Sequence, residues 1–253
     1  MSTASSTSTP RNSIAPIRLT DAQRADFARD GYVVLGRILD DAQLQRIRDD
    51  EARLRSTIPY QDPATTHFWG QALGACPGAR DLALDGPHLS AVSDIIGDDV
   101  ALWWNQFVTK LPDGDQVRGE FTWHQDNGYK DVAPGTNVTV WCALDDVDTH
   151  NGCVWFQPGS HKAGLLPHHR PKAESWHLQV PVEGDGVAAP MRAGEAVMFS
   201  AYTLHRSKAN LSQAPRRAFF LEYAHADAVL PGEGGVRVRT TPEAWVVRGK
   251  ASP

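Results

Sequence analysis

The chain has 253 residues, 41% of them hydrophobic and 22% charged, with a formal net charge of −5. That suffices for one sizeable core and excludes a broad basic face, so a small molecule is the expected partner rather than nucleic acid or an anionic membrane. The three cysteines Cys76, Cys142 and Cys153 are odd in number and form no CxxC pair, which points to a reducing cytoplasm; no apolar run reaches the roughly 18 residues of a membrane span, and the opening MSTASSTSTPRNS lacks a signal-peptide layout.

Residues 1–16 are rich in Ser and Thr, with Pro10 and Pro16, and are expected to be a disordered tail. Residues 17–253 are read as one domain. Thr20 is an expected N-cap for a first helix that buries Phe27 and closes at Gly31, followed by a short strand at 32–35. A second helix is expected over 41–54, with Leu44, Ile47 and Leu54 on its apolar stripe. Residues 60–80 are less regular and carry His67-Phe68-Trp69, and a short third helix is expected over 88–96, ending at Gly97. From residue 99 the texture changes to short aromatic and β-branched runs broken by turn residues: VALWWNQFVTKL, TNVTVWCAL, CVWFQ, EAVMFS and RRAFFLEYA. Such spacing predicts a sandwich or barrel core over about 99–225, preceded by a buttressing helical part over 20–98. Residues 226–253 form a C-terminal extension that matches no pattern.

Trp123-His124-Gln125-Asp126 is the most informative tetrapeptide. In a strand, side chains two apart share a face, so His124 and Asp126 can present a nitrogen and an oxygen to one point. Two histidines and one carboxylate make the facial triad of non-haem iron(II), with open positions for a bidentate ligand and dioxygen. The HxD pair alone is weak, because it arises often by chance and needs a third donor. His205 stands out for that part: it follows EAVMFSAYTL, read as a buried strand emerging at a polar end. Eleven residues later comes Arg216 in the apolar run RRAFFLEY, read as the neighbouring strand of a hairpin. A buried arginine demands an anion, and its planar fork suits a carboxylate; Ser207 could add a hydroxyl to the same group. By alternation one of Arg216 and Arg217 must point outward, and the sequence prefers Arg216 inside only mildly. His150, His161, His168, His169 and His177 lie in polar, turn-rich stretches and are read as solvent-exposed, with His88 and His225 structural.

HQD at 124–126, VTVWCALDD at 138–146, NGCVWFQPGSHK at 151–162, HRS at 205–207 and RR at 216–217 together resemble the phytanoyl-CoA dioxygenase family, as does the opening FARDGYVVLGRILDDAQL at 27–44. The resemblance covers about residues 20–225. It implies a mostly β double-stranded β-helix, or cupin-like jelly roll, with iron(II) on His124, Asp126 and His205. It further implies 2-oxoglutarate and dioxygen as co-substrates, Arg216 and Ser207 at the oxoacid's outer carboxylate, Gln106 and Lys110 on its inner side, and Trp141 as a wall of the oxoacid pocket or part of the core. The expected activity is hydroxylation of an unactivated C–H bond of a small molecule, with a natural-product intermediate as one candidate, and release of succinate and carbon dioxide. Desaturation, cyclisation or epimerisation would use the same cofactors, and a redox-inactive cupin-like binding protein is the reading from another class. Because halogenating relatives of the fold lack the carboxylate, Asp126 favours an oxygen-derived outcome. His67, Trp69, Trp104, Asn127 and Tyr129 are the expected substrate-facing residues, and the loop over 165–176 is a candidate cover for the mouth. The chain is expected to act as a monomer or homodimer.

Overall fold

A computed structural model of the chain describes residues 12–58, 66–114, 118–171, 177–242 and 244–249. Residues 1–11 of the expected tail at 1–16 and residues 172–176 of the expected mouth loop lie outside the described residues. The end of that tail is tied down instead, Asn12 Nδ2 donating to the Ile38 carbonyl and the Ser13 amide to Asp40, both at 2.6 Å.

The first helix starts where its cap dictates. Thr20 accepts the Gln23 amide at 3.2 Å while the Gln23 side chain accepts the Thr20 amide at 3.0 Å, a reciprocal capping box ahead of α1 (Asp21–Asp30). Gly31 ends it at φ +84°, and a Cβ there would lie 2.4 Å from His161 Nδ1, so backbone and space both demand glycine. Asp40 caps α2 (Asp41–Thr57), one turn longer than expected, which buries Leu44, Ile47 and Leu54. A helix the sequence does not announce, α3 (Pro77–Asp85), opens on Pro77 and buries small residues, Gly78, Ala79 and Ala83, beside Leu82. Its stripe carries too little apolar bulk for the periodicity to stand out. The fourth, α4 (Leu89–Ile96), falls where expected. No helix among the described residues is long and apolar enough to cross a membrane.

The strands follow as β1 (Tyr32–Arg37), β2 (Thr66–Gly70), β3 (Val100–Lys110), β4 (Phe121–His124), β5 (Val138–Ala143), β6 (Val154–Phe156), β7 (Val187–Ala189), β8 (Glu195–Ser200), β9 (His205–Ser207), β10 (Arg216–His225), β11 (Val229–Leu230), β12 (Val236–Arg237) and β13 (Trp245–Arg248). They form a larger antiparallel sheet in the order β1-β8-β5-β10-β3, with β2 and β13 sharing the far edge of β3, a smaller one in the order β4-β9-β6-β7, and a separate β11-β12 pair. Alternation sorts β10, β5 and β8. Phe219, Leu221 and Tyr223 of β10, Val138, Val140 and Cys142 of β5, and Ala196 and Met198 of β8 face the helices. Ala218 and Phe220 of β10, Trp141 and Ala143 of β5, and Val197 and Phe199 of β8 face the interior between the sheets. This mostly β, jelly-roll arrangement agrees with the expected fold.

Two features differ from the sequence reading. EAVMFS and His205 do not share a strand: β8 belongs to the larger sheet and, after a turn at 201–204, β9 begins with His205 in the smaller one. His205 and Arg216 therefore meet across the interior rather than along a hairpin. The described part of the C-terminal extension, 226–242 and 244–249, is not a loose appendage, since β13 pairs with the start of β3. Ala228, Leu230 and Val238 also pack with Trp103 in a small core of their own.

Candidate active site

His124 closes β4 and lies directly opposite His205 of β9. Asp126 sits at the head of the one-turn 3-10 segment Asp126–Gly128, and one ligand atom from each of the three residues lies within 4.8 Å of the others. His124 Nε2 is 3.8 Å and His205 Nε2 3.4 Å from Asp126 Oδ1. Each imidazole is oriented through its other nitrogen, Nδ1 of His124 donating to the Thr122 carbonyl (2.8 Å) and Nδ1 of His205 to that of Thr203 (3.0 Å). Those bonds leave both Nε2 lone pairs free and aimed at one point. Burial, seconded by the His205 ring, pushes the proton affinity of His124 well below the ordinary imidazole range, so the ring is neutral. For Asp126 burial acts to raise the pKa, but His205 and His124 together with the Thr139 hydroxyl outweigh it and hold the carboxyl below its ordinary value. Thr139 Oγ1 donates to Asp126 Oδ2 at 2.6 Å. Two imidazoles and one carboxylate on a common point are the donor set of a facial iron(II) site.

Between the two ligands, Gln125 points the other way and staples two loops, its Nε2 donating to the Gly164 and Tyr202 carbonyls and its Oε1 accepting from the Leu166 amide. Its amide N–H in turn donates to His168 Nε2 at 3.0 Å. His168 is therefore a half-buried strut rather than the expected exposed side chain, and His161 and His177 are likewise half-buried.

Beside the triad lies a cavity of about 400 Å³ whose wall includes Gln106, Trp141, Ser207 and Arg216. Arg216 is 1% exposed, and its Nε and Nη1 have no hydrogen-bond partner among the described residues. Burial pushes its pKa down to about 10, and the guanidinium lies 5.4 Å from the Trp141 ring centre. Arg217 turns the opposite way and grips Asp145, Nε at 2.9 Å and Nη2 at 2.6 Å. A buried fork with two idle nitrogens, in a cavity shared with the triad, fits a carboxylate-bearing co-substrate.

The structure corrects four expected site residues. Lys110 borders the cavity, but its ammonium is spent on the carbonyls of Gly119 (2.6 Å), Ser207 (3.0 Å) and Lys208 (2.7 Å), so it ties three chain segments together instead of meeting the oxoacid. His67 and Trp69 point away from the cavity because β2 pairs with β3 in the opposite register to that needed; Thr66 and Phe68 line it instead. Asn127 is 1% exposed and bonded to Asn137, a scaffold contact rather than a substrate one. Trp104 and Tyr129 do line the cavity. Sequence reasoning missed Trp103, Phe121 and Glu222, which also line it. Trp103 escapes simple alternation because the β10–β3 register shifts between Glu222 and Tyr223, leaving Trp103 as an extra residue. This bulge lets the adjacent Trp103 and Trp104 face the same space. Glu222 was detectable as an acid inside the apolar run RRAFFLEYA.

Comparison with known proteins places the geometry in context. The chain is 28% identical over 218 residues to a methylphosphonate hydroxylase of Gimesia maris, covering 81% of this chain and 80% of that protein. Human peroxisomal phytanoyl-CoA dioxygenase is 25% identical over 234 residues, covering 83% and 69%. Among solved structures, the apo non-heme monooxygenase ThoJ superposes with a TM-score of 0.72 at 22% identity, covering 90% of this chain and 84% of that one. The epimerase SnoN, solved with Fe3+, alpha ketoglutarate and nogalamycin RO, gives 0.70 at 24% identity, covering 83% and 85%. These structural likenesses carry the fold. The model of the family described as phytanoyl-CoA dioxygenase matches residues 27–218, most of the chain and every element that builds the cavity's metal end, so the protein belongs to the phytanoyl-CoA dioxygenase family and is an iron(II)- and 2-oxoglutarate-dependent oxygenase.

Proposed function

We propose that the enzyme hydroxylates an unactivated C–H bond of a small molecule, with iron(II) held by His124, Asp126 and His205 and the outer carboxylate of 2-oxoglutarate held by Arg216. The observation that carries this reading is the pairing of a buried His-Asp-His cluster with a buried arginine whose Nε and Nη1 lack partners, in one cavity. The bound metal and oxoacid supply the oxygen activation, with succinate and carbon dioxide as co-products. The chain's own residues set geometry and dryness. The Thr122 and Thr203 carbonyls fix the imidazole tautomers, Thr139 fixes the carboxylate, and Trp141 backs the guanidinium. Ser207 and Gln106, both on the cavity wall, stand ready to contact the oxoacid. Phe68, Phe121 and Tyr129 wall the substrate side, and Phe121 packs edge-on against His124 at 4.4 Å. Asp126 keeps a carboxylate in the ligand set, where halogenating relatives of the fold lack one, which favours oxygen transfer. Similarity to a hydroxylase supports the same outcome. The buried free cysteines support a reducing compartment.

The test is succinate release with iron(II), ascorbate and 2-oxoglutarate. The wild-type protein is expected to form succinate in proportion to oxygen consumed, and Asp126→Ala to form none above background. Full activity in that variant would refute the ligand assignment. Incorporation of labelled dioxygen into the product separates hydroxylation from desaturation, cyclisation or epimerisation.

A further inference from the structure

The cavity contains one ionisable group that the oxygenase reading leaves without a task. Glu222 shares its face of β10 with Arg216 and Phe220, six residues and about 20 Å along the strand from the guanidinium. It therefore belongs to the end of the cavity away from the expected oxoacid. Its Cα partners are Trp104 of β3 and Thr139 of β5, the latter being the residue that orients Asp126. Its side chain is nearly sealed, 4% exposed, and among the described residues its one hydrogen bond comes from Asn137 Nδ2 at 2.6 Å. Asn137 is itself locked to Asn127 at 2.7 Å, so the carboxyl is rigidly presented. Burial first, then the charge of Asp126, push the Glu222 pKa well above the ordinary carboxyl range against the opposing Asn137 and Trp103 groups, and the Trp103 indole N–H beside it is buried without a hydrogen-bond partner among the described residues.

Among the described residues no cation is paired with this acid. Lys130 borders the same cavity but is bound to Glu233 at 2.7 Å, and Arg206 is bound to Asp185 and Glu120. Lys110 is held by its three carbonyls. A buried carboxyl near the like charge of Asp126 is costly, and a neutral hydroxyl would leave that cost in place, whereas a cation would relieve both burial and repulsion. The walls suit a cation as well. The bulge turns Trp103 and Trp104 into one space, and the Trp103 ring already meets an ammonium, Lys130 Nζ at 5.6 Å from its centre. Aromatic faces around a carboxylate recognise alkylammonium groups.

We propose that Glu222, flanked by Trp103 and Trp104, is a subsite for a protonated amine on the substrate, and hence that the enzyme oxidises an amine-bearing small molecule. This rests on the oxygenase reading, since it takes the Arg216 end for 2-oxoglutarate.

Binding to the anaerobic iron(II)·2-oxoglutarate enzyme, read by tryptophan fluorescence, tests it with 2-phenylethylammonium, its neutral isostere 2-phenylethanol, and acetophenone. The ammonium should bind about tenfold or more tighter than the alcohol. Glu222→Gln keeps an acceptor for Asn137 and should close that gap to within about twofold. Equal binding of ammonium and alcohol, a gap that survives in Glu222→Gln, or no binding of any probe would overturn the subsite. Tightest binding by acetophenone would also overturn it, by showing a neutral acid that donates to a carbonyl. Succinate release by the same preparations reports on the oxygenase reading separately: activity with no ammonium preference sinks the subsite alone, and no activity sinks the reading beneath it.

Discussion

Replacing Arg216 by Met should move two quantities in opposite directions. The guanidinium is 1% exposed with Nε and Nη1 lacking partners, so without an oxoacid the fold carries an uncompensated buried charge. Removing one side of a desolvated, hydrogen-bonded charge pair costs about 2–5 kcal/mol. At about 1.4 kcal/mol per decade, the 2-oxoglutarate concentration for half-maximal succinate release should rise roughly 30- to 4,000-fold. In the absence of oxoacid, Met of similar reach removes the stranded charge and should raise stability by about 1 kcal/mol or more, or Tm by about 2–4 °C. Arg217→Met should do the reverse. It gives up a half-exposed pair with Asp145, costing about 0.5–1 kcal/mol, with the oxoacid requirement unchanged. Succinate assays across 2-oxoglutarate concentrations, together with thermal melts of the oxoacid-free proteins, measure both effects. If Arg217→Met raises the requirement and Arg216→Met does not, or if Arg216→Met melts well below wild type, the reasoning fails.

Two further outcomes follow from neighbouring contacts. Thr139→Val removes the 2.6 Å hydrogen bond to Asp126 Oδ2 and should weaken iron(II) affinity about 10- to 100-fold, as outer-shell partners of ligands do. An unchanged metal titration would show that the carboxylate needs no such support. His88 is fully buried against the Tyr223 hydroxyl at 2.8 Å, and burial drives its pKa down to about 3 from 6.5. Between those values the unfolded chain takes up a proton that the folded one refuses. Stability should therefore fall as pH drops below 6.5, by up to about 1.4 kcal/mol per pH unit from this residue. His88→Phe should flatten the acid limb of a stability-versus-pH curve, because Tyr223 keeps its donor bond to the Ala83 carbonyl (2.8 Å). An equally steep limb in the variant would assign the acid sensitivity elsewhere.

What could be read from the sequence followed local rules. Thr20 and Gly31 mark helix ends through capping chemistry that needs no tertiary context. The period-two pattern of RRAFFLEYA separates Arg216 from Arg217 once a register is chosen. HxD and the later histidine are legible because ligand chemistry restricts residue type. What escaped depends on long-range pairing. Which of His67 or Phe68 faces the cavity is decided by the register of β2 on β3, and Thr66–Gly70 carries aromatic residues of both parities. Trp103 depends on a bulge that no propensity signals. The fate of Lys110 depends on carbonyls contributed by residues 119, 207 and 208. The crossing from β8 into the other sheet before His205 is likewise a property of the closed sandwich, invisible in a run that reads as one strand.

The account depends most on His205 of one sheet reaching the same ferrous ion as His124 and Asp126. Anaerobic titration of iron(II) into the protein with 2-oxoglutarate, followed by the visible charge-transfer absorption of an iron(II)–oxoacid chelate, tests this directly. The wild-type protein should develop the band and saturate at one iron per chain, and His205→Ala should fail to develop it at matched concentrations. A band of undiminished strength in His205→Ala, or none in the wild type, would contradict the account.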